Sequence, residues 1–274
     1  MKWTPRMSIE QTFTPVEAVK PVAAYVGGKR KLAKTISQLI LEREHKIYAE
    51  PFVGMGGVFL QREHKPKSEV INDVNKELVT FFRVLSRHYP QFMDTLKFQI
   101  CSRADFERLQ HTDPETLTDL ERAARFLYLQ RIAFGGKSYN QTFGVSPDRP
   151  SRFDVNKLTP LLADLNERMN SVVIECLPYL EFIEKYDSPE TLFYLDPPYF
   201  GTETIYGLNF SRNDFAVLAE ALGKLKGRFL LSINDRPEIR EIFSSFDFVE
   251  VETSYSLARQ ASGRRKFGEL IFMN

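Results

Sequence analysis

The sequence predicts an α/β fold in which a mostly parallel sheet is wound with helices and interrupted by a helical insert. Three observations lead there. Strand and helix patterns alternate from Lys46 to Arg87 and again from Val155 onward, the rhythm of βαβ units. Between them the alternation stops, and Leu120, Ala123, Ala124, Leu127, Tyr128 and Ile132 form a helical stripe instead. Finally, Leu192-Phe193-Tyr194-Leu195 runs straight into Asp196-Pro197-Pro198-Tyr199. So short an apolar run, ended by residues that cannot extend a ladder, reads as a buried strand. It delivers a carboxylate to the carboxyl edge of the sheet, where open α/β sheets hold ligands.

Taken in order, residues 1–20 are polar and proline-containing and read as an extended arm. Tyr25-Val26-Gly27-Gly28-Lys29 is a glycine turn leading into a helix marked by Leu32, Ile36, Leu39 and Ile40. A strand over 46–49 meets the turn Glu50-Pro51-Phe52-Val53-Gly54-Met55-Gly56-Gly57, and a second strand over 69–75 ends on polar residues able to cap a helix over 76–87. Residues 88–134 read as helices, and Phe134 to Arg152 as a loop or hairpin without a core face. A helix from Val155 then leads to a strand at 171–175 and a helix around 179–186. After the Asp-Pro-Pro-Tyr strand, a helix at 213–225, strands at 228–233, 246–251 and 269–273, and a short helix from Pro237 complete the chain. The expected division is an arm (1–20), a sheet-bearing domain (21–83 with 159–274) and an insert (84–158).

Whole-chain charge names no partner, since 37 basic residues face 36 acids. Cys101 and Cys176 lie far apart without a ligand-spaced neighbour, and the four histidines form no triad, so neither a disulfide framework nor a metal site is expected. No leader pattern opens the chain and no apolar run approaches the ~18 residues that span a bilayer. The expectation is a cytoplasmic monomer or weak dimer.

Candidate chemistry gathers at two turns. Gly54-x-Gly56-Gly57 lets the backbone approach a ligand where a Cβ would collide, and Asp73 ends the next strand, where an acid accepts from ribose hydroxyls. Packing glycines and a helix-capping aspartate explain the same residues without a ligand; together the pair suggests an adenosine-type group. At Asp196-Pro197-Pro198-Tyr199, the carboxylate and a proline carbonyl can both accept from one exocyclic amine while Tyr199 stacks on the base. Such a grip leaves the nitrogen lone pair free to attack an electrophilic methyl. Between 122 and 157, seven basic residues, including Arg125, Arg131 and Lys137, face only Asp148 and Asp154, with Tyr139, Asn140 and Gln141 interleaved. Arg259, Arg264, Arg265 and Lys266 form a second basic run. Either run alone is more often a solvated face; flanking a base pocket, the two favour a phosphate backbone.

These blocks, in this order, resemble the Dam-type adenine-N6 DNA methyltransferases. Tyr25–Lys29 is similar to the N-terminal block, Glu50–Gly56 to the methionine-binding loop and Asn72–Asn75 to the ribose-binding block. Phe126–Arg131 with Phe134-Gly135-Gly136 resembles the start of the target-recognition region, and Asp196–Tyr199 the catalytic block. Leu231–Asp235 and Gly268–Asn274 resemble the strands that follow. The resemblance implies a Rossmann-like methyltransferase sheet with an antiparallel C-terminal strand, S-adenosylmethionine as donor, and a flipped adenine in double-stranded DNA as acceptor. It places Tyr25, Gly28, Lys29, Phe52, Gly54, Gly56, Asp73 and Asp196 at the cofactor, Asp196, Pro197, Pro198 and Tyr199 at the reacting amine, and Arg125, Arg131, Lys137, Tyr139, Asn140, Arg264 and Arg265 on DNA. Tyr25 replaces the family's usual tryptophan, Gln130 its frequent asparagine, and Leu177-Pro178-Tyr179 stands where an acid often binds the cofactor's adenine ring. Two rivals stay open: a methyltransferase acting on RNA, a free nucleotide or a protein amide, and a non-catalytic DNA-binding regulator on the same fold.

Overall fold

The computed structural model describes residues 13–29, 31–145, 148, 150–201, 210–254 and 266–274. Its strands are β1 (Thr14–Pro15), β2 (Ile47–Glu50), β3 (His64–Lys65), β4 (Ser68–Asn72), β5 (Val172–Glu175), β6 (Thr191–Leu195), β7 (Arg228–Asn234), β8 (Asp247–Ser254) and β9 (Lys266–Met273). Helices α1 (Ala33–Leu41), α2 (Lys76–Arg87), α3 (Tyr89–Leu96), α4 (Arg103–His111), α5 (Asp119–Ile132), α6 (Val155–Arg168), α7 (Tyr179–Tyr186), α8 (Arg212–Gly223) and α9 (Pro237–Ile242) lie between them.

The main sheet runs β5-β4-β2-β6-β7-β9-β8. All neighbours are parallel as far as β7, and β9 inserts antiparallel between β7 and β8. From β2 the chain steps outward through β4 to β5, then crosses back to β6 on the other side of β2. The order therefore reverses between β2 and β6, and a crevice opens at their carboxyl ends. Every residue of β6 is buried, as its unbroken apolar run requires in a strand covered on both faces.

Local chemistry sets the element ends. Asn75 caps α2 by accepting from the Glu77 and Leu78 amides, with Glu77 in the first turn and Arg87 in the last. Thr118 and Glu121 form a reciprocal capping box on α5. The described part of the expected arm, residues 13–20, is extended but docked: β1 pairs with β3, and Phe13 and Val19 are buried.

The insert is helical, but it is not a separate core. Leu78 and Phe81 of α2, Phe92 of α3, Phe106 of α4, Leu127 of α5 and Leu158 of α6 share one cluster with Tyr48, Ile71 and Tyr194 of the sheet. Both expected boundaries, 83/84 and 158/159, fall inside helices, α2 and α6. The stripe on α5 marked a buried face correctly; what it packs against is α2 and α3 rather than a core of its own.

Beneath the sheet's left half, Glu69 of β4 is buried between two guanidinium groups. It takes a bidentate pair from Arg168 at 2.7 and 2.8 Å and an ion pair from Arg62, whose planar group lies 3.6 Å from the Tyr48 ring centroid. The two arginines hold the Glu69 carboxyl below its usual range against the opposing effect of burial. Removing the acid alone strands two buried cations. Glu69→Ala is therefore expected to cost about 3–5 kcal/mol of unfolding free energy in urea titration. By contrast, Glu190→Ala, which breaks an exposed pair with Lys46, is expected to leave the urea midpoint unchanged.

Candidate active site

The crevice at the reversal of strand order holds a cavity of about 640 Å³. One wall is Ala23 to Lys29, a second is the Glu50–Val58 turn after β2, and a third is Asn72–Val74 after β4. Leu177, Pro178, Tyr179 and Phe210 close one end, and Asp196 and Pro198 the other. A single void thus joins the glycine turn to the Asp196 carboxyl.

Gly54 sits at φ +49°, and a Cβ there would lie 3.0 Å from Cδ1 of the Tyr25 ring. Its amide donates to Asp73 Oδ2 at 3.0 Å, while Asp73 Oδ1 accepts from the Asn75 amide at 2.9 Å. The Val74 amide also bonds to this carboxyl, whose roughly four acceptor sites still leave capacity for a ligand. Burial pushes Asp73 up to about 6, against those main-chain bonds. Asn72 knits the three strand ends together: its amide nitrogen donates to the carbonyls of Pro51 and Leu177, and its oxygen accepts from the Leu177 amide. Phe52, Tyr179 and Phe210 stand with ring centroids 5.4 to 6.2 Å apart, an apolar box at the end of the cavity. Phe210 carried no signal in the sequence, because it follows a stretch without recognisable periodicity.

At the opposite end the Lys29 ammonium is 1% exposed. It lies 2.7 Å from Asp196 Oδ1, 2.7 Å from Glu269 Oε1 and 2.8 Å from the Tyr199 hydroxyl oxygen, to which it donates. Burial works against its charge, but Asp196 and Glu269 hold its pKa above the ordinary lysine range. Tyr199 in turn donates to Glu269 Oε2 at 2.8 Å. Burial pushes Asp196 up to about 6; Lys29 pulls it down, Glu269 adds to the rise, and a Ser232 hydrogen bond lowers it. Asn234 clamps the turn by accepting from the Phe200 amide at 3.0 Å and donating to its carbonyl at 3.1 Å. Glu50, buried with the Tyr48 hydroxyl 2.6 Å away, is pushed up to about 8 by burial and is neutral at pH 7.

The structure brings Tyr25, Gly28, Lys29, Phe52, Gly54, Asp73 and Asp196 to one cavity, as expected from the sequence. Lys29 lines this cavity and also lies within 2.8 Å of Asp196, Glu269 and Tyr199, so it links the cavity wall to the turn after β6. Gly56 does not line the cavity; at φ +74° it serves the turn, and a Cβ there would meet Leu60 Cγ at 2.7 Å. Pro197 and Tyr199 are not in the cavity lining, although Asp196 and Pro198 beside them are. Glu269 and Asn234 were missed. The available signal for Glu269 was an acid inside the apolar strand Leu270-Ile271-Phe272.

On the insert, Arg125 departs from its expected role. Its guanidinium donates to the Leu109 and Gln110 carbonyls and so fastens α4 to α5. Arg122 pairs with Glu77 and Glu115, and Arg131, on the cavity wall, donates to the carbonyls of Val22 and Arg152. The charge count of this segment therefore overstated the free cations. Lys137, Tyr139 and Asn140 do lie on a hairpin tip closed by the Ala133–Phe143 bridge. Tyr139 is 53% exposed, as is Phe134 beside it at 64%. Arg149, Arg259, Arg264 and Arg265 lie outside the described residues.

Comparison with known proteins bears on the same residues. A family model described as D12 class N6 adenine-specific DNA methyltransferase matches residues 25–257. The type II methyltransferase M1.LlaDCHI of Lactococcus lactis subsp. cremoris is 29% identical over 280 residues, covering 93% of this chain and 95% of that protein. The type II methyltransferase M.CviBI of Paramecium bursaria Chlorella virus NC1A is 25% identical, covering 86% and 91%. A DNA adenine methylase of Vibrio cholerae serotype O1 is 24% identical, covering 90% and 93%. Among the described residues no helix is long and apolar enough to cross a membrane. The matched span begins at the tyrosine packed on Gly54 and takes in both cavity turns, and the chain belongs to the D12 class of N6 adenine-specific DNA methyltransferases.

Proposed function

We propose that this enzyme transfers the methyl group of S-adenosylmethionine to N6 of an adenine turned out of duplex DNA, gripped by Asp196 and the Pro197 carbonyl and stacked on Tyr199. The observation that carries this reading is the single cavity lined by both Gly54 and Asp196. Its volume lies in the range of pockets that hold drug-sized ligands, roughly 300–1,000 Å³. The residues suit the donor. Asp73 offers lone pairs to ribose hydroxyls, the Phe52–Tyr179–Phe210 box accepts an apolar ring edge, and the missing Cβ of Gly54 leaves the approach open. The bound donor supplies an electrophilic methyl on a sulfonium.

Everything else falls to the chain. Asp196 lines the cavity that takes the donor, and the Tyr199 hydroxyl is tied to the same Lys29 ammonium, so one carboxylate serves both donor and base. The carboxylate accepts from the amine and stabilises positive charge as it grows on nitrogen. Adenine N6 is inaccessible within the stack, which requires extrusion of the base. Lys137, Tyr139 and Asn140 contribute to DNA contact on the hairpin tip. The cytoplasm of a bacterial or phage-infected cell follows as the setting from the DNA substrate.

With labelled donor, transfer to duplex DNA is expected to exceed transfer to single strands or RNA; label in RNA only overturns the reading. Asp196→Ala is expected to lower the single-turnover rate at least ~10³-fold while duplex binding in gel shift stays within twofold, the pattern of a lost transition-state contact. Gly54→Ala forces a side chain into φ +49° against Tyr25. It is expected to weaken donor binding by at least tenfold in calorimetry and to cost roughly 1–2 kcal/mol of stability. DNA affinity is expected to fall steeply with salt in fluorescence titration, because phosphate contacts release counterions.

A further inference from the structure

We infer that Glu269 is a positioning residue for methyl transfer: through Lys29 and Tyr199 it fixes both the carboxylate that grips the adenine amine and the ring on which the base lies. The inference rests on the assignment of those two groups to the acceptor base.

The geometry is specific. Glu269 is 1% exposed and comes from β9, the last strand, opposite Asn234 of β7 in the antiparallel register. Its two oxygens do different things: Oε1 lies 2.7 Å from the Lys29 ammonium, and Oε2 accepts from the Tyr199 hydroxyl at 2.8 Å. Lys29 carries the connection on to Asp196 Oδ1 at 2.7 Å. A buried carboxylate of this kind is costly unless paired, and both its partners belong to the acceptor site. It is not itself in the cavity lining and meets that wall only through Lys29, so donor affinity is read alongside the rate. The same strand lies next to β7, whose Asn234 clamps the backbone at Phe200. Rotation of Tyr199 about the turn is therefore checked at its hydroxyl and at its chain end.

Glu269 also sets the charge around Asp196. Among the described residues, Asp196 is faced by Lys29 from the glycine block, Glu50 from β2, Tyr194 from β6, Ser232 from β7, and Glu269 from β9. Glu50 is neutral at pH 7, and Tyr194 keeps its proton far above that range. Lys29 and Glu269 are then the charges that matter, and they act on Asp196 with opposite sign. Taking away the Glu269 charge leaves Lys29 unopposed and holds Asp196 ionised to lower pH. A merely structural role for Glu269 predicts no such movement.

The test is single-turnover methylation of duplex DNA at saturating donor across pH 4.5–8.5 for wild type, Glu269→Gln, Glu269→Asp and Asp196→Ala. For Glu269→Gln the plateau rate is expected to fall roughly 10- to 100-fold, the usual cost of a misplaced reacting group. Its acid limb is expected to move down by roughly one pH unit, with donor affinity within twofold of wild type. Glu269→Asp keeps the charge but withdraws the carboxylate from Tyr199; the rate is expected to fall while the acid limb stays in place. An acid limb unmoved in Glu269→Gln overturns the proposal, and so does a wild-type rate in Glu269→Asp, which decides the matter if the Gln variant does not fold. Activity persisting in Asp196→Ala overturns the acceptor-site reading itself, so the two failures are told apart.

Discussion

One buried ammonium ties together the parts of this enzyme that are farthest apart in the chain. Lys29 follows the first glycine turn, Asp196 and Tyr199 follow β6, and Glu269 lies in β9, yet all meet within 2.8 Å contacts around a single nitrogen. An unpaired cation at that depth costs more than a domain can spare, so the group is stable only when all its partners are in place. This gives the antiparallel insertion of β9 a function beyond sheet completion. Because β9 lies between β7 and β8, its buried acid passes directly under the carboxyl edge of the parallel strands. At the outer edge of the sheet the same acid could not reach Lys29.

Several parts of this arrangement were legible in the sequence because local chemistry fixes them. The β6 run and its prolines leave one solution, a buried strand stopping at Asp196. Helix α2 begins and ends where Asn75 and Arg87 signal. Asp73 sits one crossover after the glycine turn, and the structure joins the two by a hydrogen bond to Gly54. What the sequence hid is of one kind: partners set by pairing across long separations. Nothing near Lys29 announces that Asp196, Glu269 and Tyr199 surround its ammonium, or near Arg125 that two carbonyls of a preceding helix hold it. The excess of basic residues between 122 and 157 predicted a cationic face, but Arg122 and Arg125 spend their charge inside the fold.

The insert's boundaries were misplaced for a related reason. A break in strand–helix alternation marks where the topology changes, not where cohesion does. The apolar faces of α3 and α5 are covered by α2, α4 and α6 in one cluster that also takes in residues of the sheet, so the core continues from the parallel layer into the helices without a seam. Linkers of the sort that separate domains are missing from both crossing points, which are uninterrupted helices.

That continuity reaches the hairpin. Gln130, buried in α5, donates to the carbonyls of Ala24 and Gly136 at once, and the Val26 amide donates to Gly136 as well. A side chain on Gly136 would sit 2.9 Å from the Ala24 carbonyl carbon, so the hairpin lies directly on the wall that ends in Tyr25 and Lys29. Arg131 adds a bond from the same helix to Val22. The hairpin and the residues that wall the cavity are thus joined along one strip of chain. A displacement of the hairpin tip on DNA must either break these bonds or carry Ala24 to Val26 with it. Since Tyr25 packs on Gly54 and Lys29 contacts Asp196, the strip connects the hairpin to both turns of the cavity.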